Sequence, residues 1–203
     1  MNVEEVLHRL ENEYPEIFYY QNNDPFYVLI TTVLSQRTRD SVTNSSAKTL
    51  FNKYNSPNEL VHTDEDEIES LIKNVGFYRV KTQRIKQISE MILDEYDGQV
   101  PDNLNDLLKL PGVGRKTANC VLTYAFSKKA IAVDTHVHRI SNRLGLVETK
   151  TPEKTEKDLK KIVPENLWNK INELFVRFGQ NTCRPVSPRC DVCVLNDTCP
   201  KLI

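Results

Sequence analysis

An all-α fold is what this sequence predicts, on three observations. Apolar residues recur at helical spacing along the whole chain, most of those stripes open or close on a capping residue, and only Ala130-Ile131-Ala132-Val133 looks like a strand. The first stripe, Val3, Val6, Leu7 and Leu10, falls at i, i+3, i+4 and i+7 and predicts an amphipathic helix. Asp24-Pro25 supplies an N-cap and a first-turn proline, and Phe26, Leu29, Ile30, Val33 and Leu34 then predict a helix buried nearly all round. Ala47, Leu50, Phe51 and Tyr54 mark the next helix and Ser56-Pro57 opens a short one. Ile68, Leu71, Ile72 and Val75 stripe an acidic helix that stops at Gly76. Ile85, Ile88, Ile92 and Tyr96 stripe a basic helix ending near Gly98, and Leu104, Leu107 and Leu108 a short one before Pro111. Beyond Gly114, Ala118, Val121, Leu122 and Ala125 are in register. Asp134 can cap a helix bearing Val137, Ile140 and Leu144, Thr151-Pro152 opens another, and Trp168, Ile171, Leu174, Phe175 and Phe178 form an apolar face ending at Gly179. About ten helices and no sheet result.

The 203 residues are enough for one medium or two small cores. With 27 basic and 28 acidic residues the net charge is -1, so any nucleic-acid surface has to be a local patch. No apolar run approaches the roughly 18 residues of a membrane span, and MNVEEVLHRLENEYPE lacks the basic and apolar regions of a secretory signal. The expectation is a reducing, cytoplasmic setting with no targeting segment and no membrane partner.

Leu110-Pro111-Gly112-Val113-Gly114-Arg115-Lys116-Thr117 joins a short helix to a longer one through a turn with two glycines. Glycines that take positive φ would leave backbone N–H groups and a helix N-terminus pointing outward, a place for an anion such as a DNA phosphate. The same pattern also serves as a plain helix–helix turn. Lys116, beside Arg115 in the first turn, feels a helix dipole and a neighbouring cation that both disfavour its charged form, as an imine-forming nucleophile requires. A surface lysine that binds phosphate fits these residues too.

Cys183, Cys190, Cys193 and Cys199 are spaced C-x6-C-x2-C-x5-C, and in a reducing setting four thiols so close suit a metal better than disulfides. By ligand type, structural zinc and an iron–sulfur cluster both accept four thiolates. Cys120, on an apolar helix face, reads as a core residue.

LPGVGRKTAN, with VDTHVHRI placing its aspartate 18 residues after Lys116, resembles the helix-hairpin-helix (HhH-GPD) base-excision DNA glycosylases of the endonuclease III type. The resemblance covers nearly the whole chain. It implies two all-α lobes: residues 22–131, with the helix-hairpin-helix at about 104–124, and residues 1–21 plus 132–203, which carry an iron–sulfur cluster loop. DNA would lie across the cleft between them. The resemblance makes Lys116 the catalytic lysine and Asp134 the catalytic aspartate, the latter stabilising positive charge at C1′ as the glycosidic bond breaks; from its own residues Asp134 also reads as an N-cap. Gly112, Val113, Gly114 and Arg115 become DNA contacts, as does His136. His138 is given no chemistry.

An enzyme that extrudes a base must fill the space left behind. Val75-Gly76-Phe77-Tyr78 matches the family's wedge loop and puts Phe77 at the wedge, although a phenylalanine after a capping glycine more often folds onto the core. The family's glutamine plug corresponds to Arg37 in ungapped register, with Gln36 one residue earlier, so both are candidates. Arg79, Lys81, Arg84 and Lys86 form a basic run suited to backbone contacts or to a solvated helix face. The cysteine spacing matches the family's [4Fe–4S] cluster, with Arg184 and Arg189 suited to phosphate, and the resemblance admits a monovalent cation at the hairpin. The implied protein is a monomeric bifunctional N-glycosylase and AP lyase. It would act on duplex DNA carrying oxidised pyrimidines, of the thymine glycol type, or abasic sites, and cut 3′ to the lesion by β-elimination. A monofunctional mismatch glycosylase, including the adenine-specific type, and a non-catalytic DNA-binding module are the rivals; Lys116 argues against the first.

Overall fold

A computed structural model describes residues 2–15 and 22–202. Among these, eleven α-helices and two 3₁₀ turns form and no strand does. In chain order they are α1 (Val3–Glu13), α2 (Pro25–Ser35), α3 (Asp40–Phe51), α4 (Pro57–His62), α5 (Glu65–Ile72), α6 (Tyr78–Glu95), α7 (Leu104–Leu107), α8 (Arg115–Tyr124), α9 (Thr135–Arg143), α10 (Pro152–Ile162) and α11 (Trp168–Asn181). The turns are Glu165–Leu167 and Cys190–Val192. None of the described helices is long and apolar enough to cross a membrane.

The caps explain the boundaries. Asp24 accepts from the Tyr27 amide ahead of Pro25, Ser56 and Glu59 close a reciprocal capping box around Pro57, and Thr151 accepts from Lys154 ahead of Pro152. Gly98, at φ +76°, ends α6 by donating its N–H to the Ile92 carbonyl at 3.0 Å. Gly179 behaves otherwise than expected: α11 continues to Asn181, and a Cβ on Gly179 would lie 2.4 Å from His136 Nδ1. That glycine permits close approach of α9 rather than stopping a helix.

The chain divides into two compact units, Tyr20–Lys128 and Met1–Tyr19 with Lys129–Ile203. In the first, the hairpin unit, α2 is the centre. Phe26, Val28, Leu29, Ile30, Val33 and Leu34 are all buried, each contributing about 1.5–3 kcal/mol of transfer free energy, and α2 packs on α3, α6 and α8. Cys120 joins this core. In the second, the cysteine unit, α1 lays Val3, Val6, Leu7 and Leu10 into a core built with α9, α10 and α11. Ile131 and Val133 belong to that core, so the extended 130–133 segment lies wholly in this unit instead of being divided after 131.

Candidate active site

In the hairpin unit, α7 and α8 are joined by a turn that Val113 closes: its N–H donates to the Leu110 carbonyl at 3.1 Å and its side chain is buried. Val113 therefore faces inward rather than presenting its amide. The two glycines differ. Gly112 takes φ +73°, and a Cβ there would come 2.7 Å from Arg84 Cδ. Gly114 is at φ -92° and ψ 175°, extended backbone open to any residue, and a Cβ there would meet nothing within 4 Å. The expectation of positive φ at both glycines holds only for Gly112. Gly114 is the N-cap of α8 and provides no side-chain cap, and the first turn of α8 contains Arg115 and Lys116 with no acidic residue. Arg115 is exposed and Lys116 half-buried. This helix start retains the positive end of its dipole and adds two cations to it.

Beside the hairpin, two loops meet. Gln36 turns inward: its side-chain amide donates to the Gly112 carbonyl at 3.0 Å, and its Oε1 accepts from Arg84 at 3.4 Å. Arg37 is exposed, with its guanidinium 5.6 Å from the centroid of the Phe77 ring. Phe77 is 61% exposed, so it does not fold back onto the core. Arg37 and Phe77 both take left-handed backbone, φ 53° and 59°, at a cost of roughly 1–2 kcal/mol each for residues with a Cβ. The loops are joined where the Gly76 N–H donates to Thr38 Oγ1 at 3.2 Å, and a Cβ on Gly76 would strike the Arg37 carbonyl at 2.8 Å.

The basic run of α6 separates into different roles. Arg79 is exposed, 3.5 Å from Glu69 and 5.0 Å from the centroid of the Tyr78 ring. Lys86 donates to the Thr63 carbonyl at 2.7 Å, and Arg84 lies against Gly112. Lys81, expected on a DNA-facing or solvated surface, is 2% exposed, and its ammonium donates to the Leu34 and Gln36 carbonyls and to Thr38 Oγ1. Burial pushes its pKa down to about 8, with the Arg84 charge adding to the effect. Sequence reasoning missed these tethers. The signal was present, because Lys81 stands four residues before Ile85 on the same stripe as Ile88 and Ile92.

In the cysteine unit, Asp134 caps α9. Its Oδ1 accepts from the amides of His136 at 2.8 Å and Val137 at 2.9 Å, which leaves Oδ2 outside the cap. His136 does not stand outward on this helix: its Nδ1 is 3.1 Å from Arg139 and the ring packs at Gly179. His138 bonds Thr155 at 2.6 Å. Arg139 and Arg143, one turn apart, hold the segment after α11. Arg139 donates to the Cys183 carbonyl at 2.9 Å, and Arg143 donates to the carbonyls of Arg184 at 2.6 Å and Pro185 at 2.8 Å. The Arg184 side chain is exposed.

Cys183, Cys190, Cys193 and Cys199 line one cavity, whose apolar wall includes Leu144 and Phe178. All four thiols are half-buried and none is in a disulfide. Three groups donate to sulfur: the Leu195 amide to Cys193 and the Lys201 amide to Cys199, both at 3.4 Å, and Arg143 to Cys183 at 3.7 Å. Among the described residues no three His, Cys, Asp or Glu side chains gather as one metal ion would require. The thiols are instead spread around the cavity wall.

The family model for HhH-GPD superfamily base excision DNA repair proteins matches residues 30–165. The chain is 51% identical to endonuclease III of Thermotoga maritima over 97% of its own length and 92% of that protein. It belongs to the endonuclease III family of HhH-GPD proteins. A second endonuclease III, from Bacillus subtilis, is 41% identical over 88% of this chain and 82% of its own. A solved structure of a trapped endonuclease III–DNA covalent intermediate superposes with a TM-score of 0.92 at 37% identity, covering 98% of this chain and 94% of the other. The all-helical architecture of this HhH-GPD protein is thus that of a relative seen covalently joined to DNA.

Proposed function

We propose that this endonuclease III family member is a bifunctional DNA N-glycosylase and AP lyase of base excision repair. It releases oxidised pyrimidines of the thymine glycol type from duplex DNA. The observation that carries the reading is the start of α8: an N-terminus without a side-chain cap, opened by a glycine whose missing Cβ relieves no contact within the protein, with Arg115 and Lys116 in its first turn. An internal steric need accounts for Gly112. Gly114 is accounted for by a partner outside the chain, and a DNA phosphate at the N–H groups of this turn fits the geometry and the charge.

In this mechanism the base is extruded, with Phe77 and Arg37 entering the stack behind it; Gln36, committed to the hairpin, supports the turn rather than plugging the gap. Lys116 displaces the base from C1′ and the opened sugar forms an imine with its amine. Loss of a 2′ proton then expels the 3′ phosphate, cutting the strand 3′ to the lesion. Asp134 stabilises positive charge at C1′ through its carboxylate while Oδ1 continues to cap α9. Arg79, Arg115 and Arg184 contribute sequence-independent phosphate contacts. His136, packed on α11, supports α9 and is not assigned to DNA.

The four cysteines would hold a [4Fe–4S] cluster. Four thiols on the wall of one cavity, with N–H donors directed at three of them, fit the cluster that the endonuclease III resemblance implies. When bound, the cluster supplies a rigid fastening for the loop that carries Arg184 and Arg189. The residues argue no monovalent cation site at the hairpin beyond the family expectation.

The test is borohydride trapping on a thymine-glycol duplex with wild type beside Lys116→Gln. A covalent protein–DNA band with wild type alone is expected. Base release without a band would instead assign the chain to the monofunctional class, and DNA binding with neither product would leave a binding module.

A further inference from the structure

Among the described residues of the hairpin unit Lys81 is the largest fully buried side chain, yet it is a cation. Its three acceptors all belong to one short segment: the carbonyls of Leu34 and Gln36 and the hydroxyl of Thr38. Between the last two stands Arg37, in left-handed backbone, with its side chain directed outward over Phe77. Thr38 Oγ1 also accepts from the Gly76 amide, so the same hydroxyl ties the Arg37 segment to the Phe77 loop. Ion pairing is not what this buried ammonium does; it gathers three neutral oxygens, and those oxygens determine which way the chain turns on either side of Arg37. An apolar residue of similar size would take the ammonium from the Leu34 carbonyl and leave the Gln36 carbonyl only the Thr38 hydroxyl at 3.3 Å, so the three oxygens would no longer be gathered at one point and the segment could shift toward water.

We propose that Lys81 is a positioning residue for base extrusion, locking the Gln36–Thr38 segment so that Arg37 and Phe77 project together as one wedge. The inference rests on the reading of those two side chains as the wedge. It assigns to the protein interior the preorganisation that the exposed loops do not supply for themselves.

Base release is to be measured on two duplexes that differ only at the lesion: thymine glycol paired with adenine, and thymine glycol in an unpaired bulge, where extrusion requires little work. For Lys81→Met the paired substrate should slow by roughly tenfold or more relative to the bulged one, because only the paired substrate needs the wedge to replace lost stacking. Equal slowing on both substrates would make Lys81 merely structural and overturn the proposal, as would no slowing on either. Arg37→Ala and Phe77→Ala run alongside. If they raise the paired-to-bulged difference and Lys81→Met does not, the Lys81 inference fails alone; if neither raises it, the wedge reading itself fails. Should Lys81→Met not fold, Thr38→Val removes one acceptor and the bridge to Gly76, and it should change the same ratio in the same direction. An unchanged ratio there overturns the proposal.

Discussion

The two units hold their functional loops by opposite means. In the hairpin unit, buried and half-buried polar side chains of the chain itself do it: Lys81 gathers the Gln36–Thr38 segment, Gln36 reaches the Gly112 carbonyl, and Arg84 fills the space beside Gly112. In the cysteine unit, Arg139 and Arg143 fix the beginning of the loop after α11, and the rest of it is lined by thiols around a cavity. The first loops are held by side chains of the unit itself; on the proposed reading the second leaves part of its order to a cofactor. The same contrast appears at two helix starts. The α8 start, at Gly114, has no side-chain cap, whereas the α9 start is closed by Asp134. On the proposed mechanism the uncapped start of α8 receives an external anion, whereas α9 uses the carboxylate it presents as its own cap.

Loss of a cluster ligand should separate the two units most severely. Cys193→Ser should remove the broad visible absorbance of the purified protein and destabilise the cysteine unit by on the order of several kcal/mol, leaving α8 and its hairpin folded by hydrogen exchange. Uniform loss of protection across both units would contradict the division of labour. A smaller effect is expected at Gly112→Ala, where positive φ and the Arg84 side chain both oppose a Cβ: about 1–3 kcal/mol of stability, read by denaturant unfolding. Gly114→Ala should cost no more than about 1 kcal/mol, because alanine is a poorer N-cap, and should weaken duplex binding, measured by titration at fixed salt.

A pH-dependent effect concerns a carboxyl in the cysteine unit. Burial raises the Glu173 pKa from 4.5 to about 7, with Arg177 and Lys170 pulling it the other way. Between those values the folded chain holds a proton that the unfolded chain has lost, so stability falls as pH rises through that window. Because the group is only half-buried, the change should not exceed about 1–2 kcal/mol, and Glu173→Gln should flatten it in a pH series of melting curves.

Much of this is legible in the sequence because it is local. Asp24-Pro25, Ser56-Pro57 and Thr151-Pro152 open the helices they announce, since a cap is a short-range hydrogen bond. The apolar stripe of α1 is buried as read, and Cys120 is a core residue. What is not legible depends on contacts distant in sequence. The place of Lys81 on the stripe of Ile85, Ile88 and Ile92 marks it for burial, but nothing near it in the chain announces acceptors 43 to 47 residues away. Gln36 and Arg37 are both plug candidates in the sequence, and the hydrogen bond from Gln36 to the Gly112 carbonyl, 76 residues on, is not announced by either. Gly179 resembles a helix stop until α9 is seen to press His136 against it. The Gly112 and Gly114 pair is read correctly as a tight turn, but the reasons for the two glycines differ.

The proposed mechanism gives Asp134 two roles, closing its helix and acting on the sugar by its charge. An asparagine in its place would cap α9 as well as the aspartate does but would carry no charge, so Asp134→Asn separates the two roles in one sample. An unchanged Tm is expected, together with base release from a thymine-glycol duplex slowed by about 10²–10³-fold. Base release near the wild-type rate would contradict the dual role, as would a loss of rate that only follows a loss of folded protein.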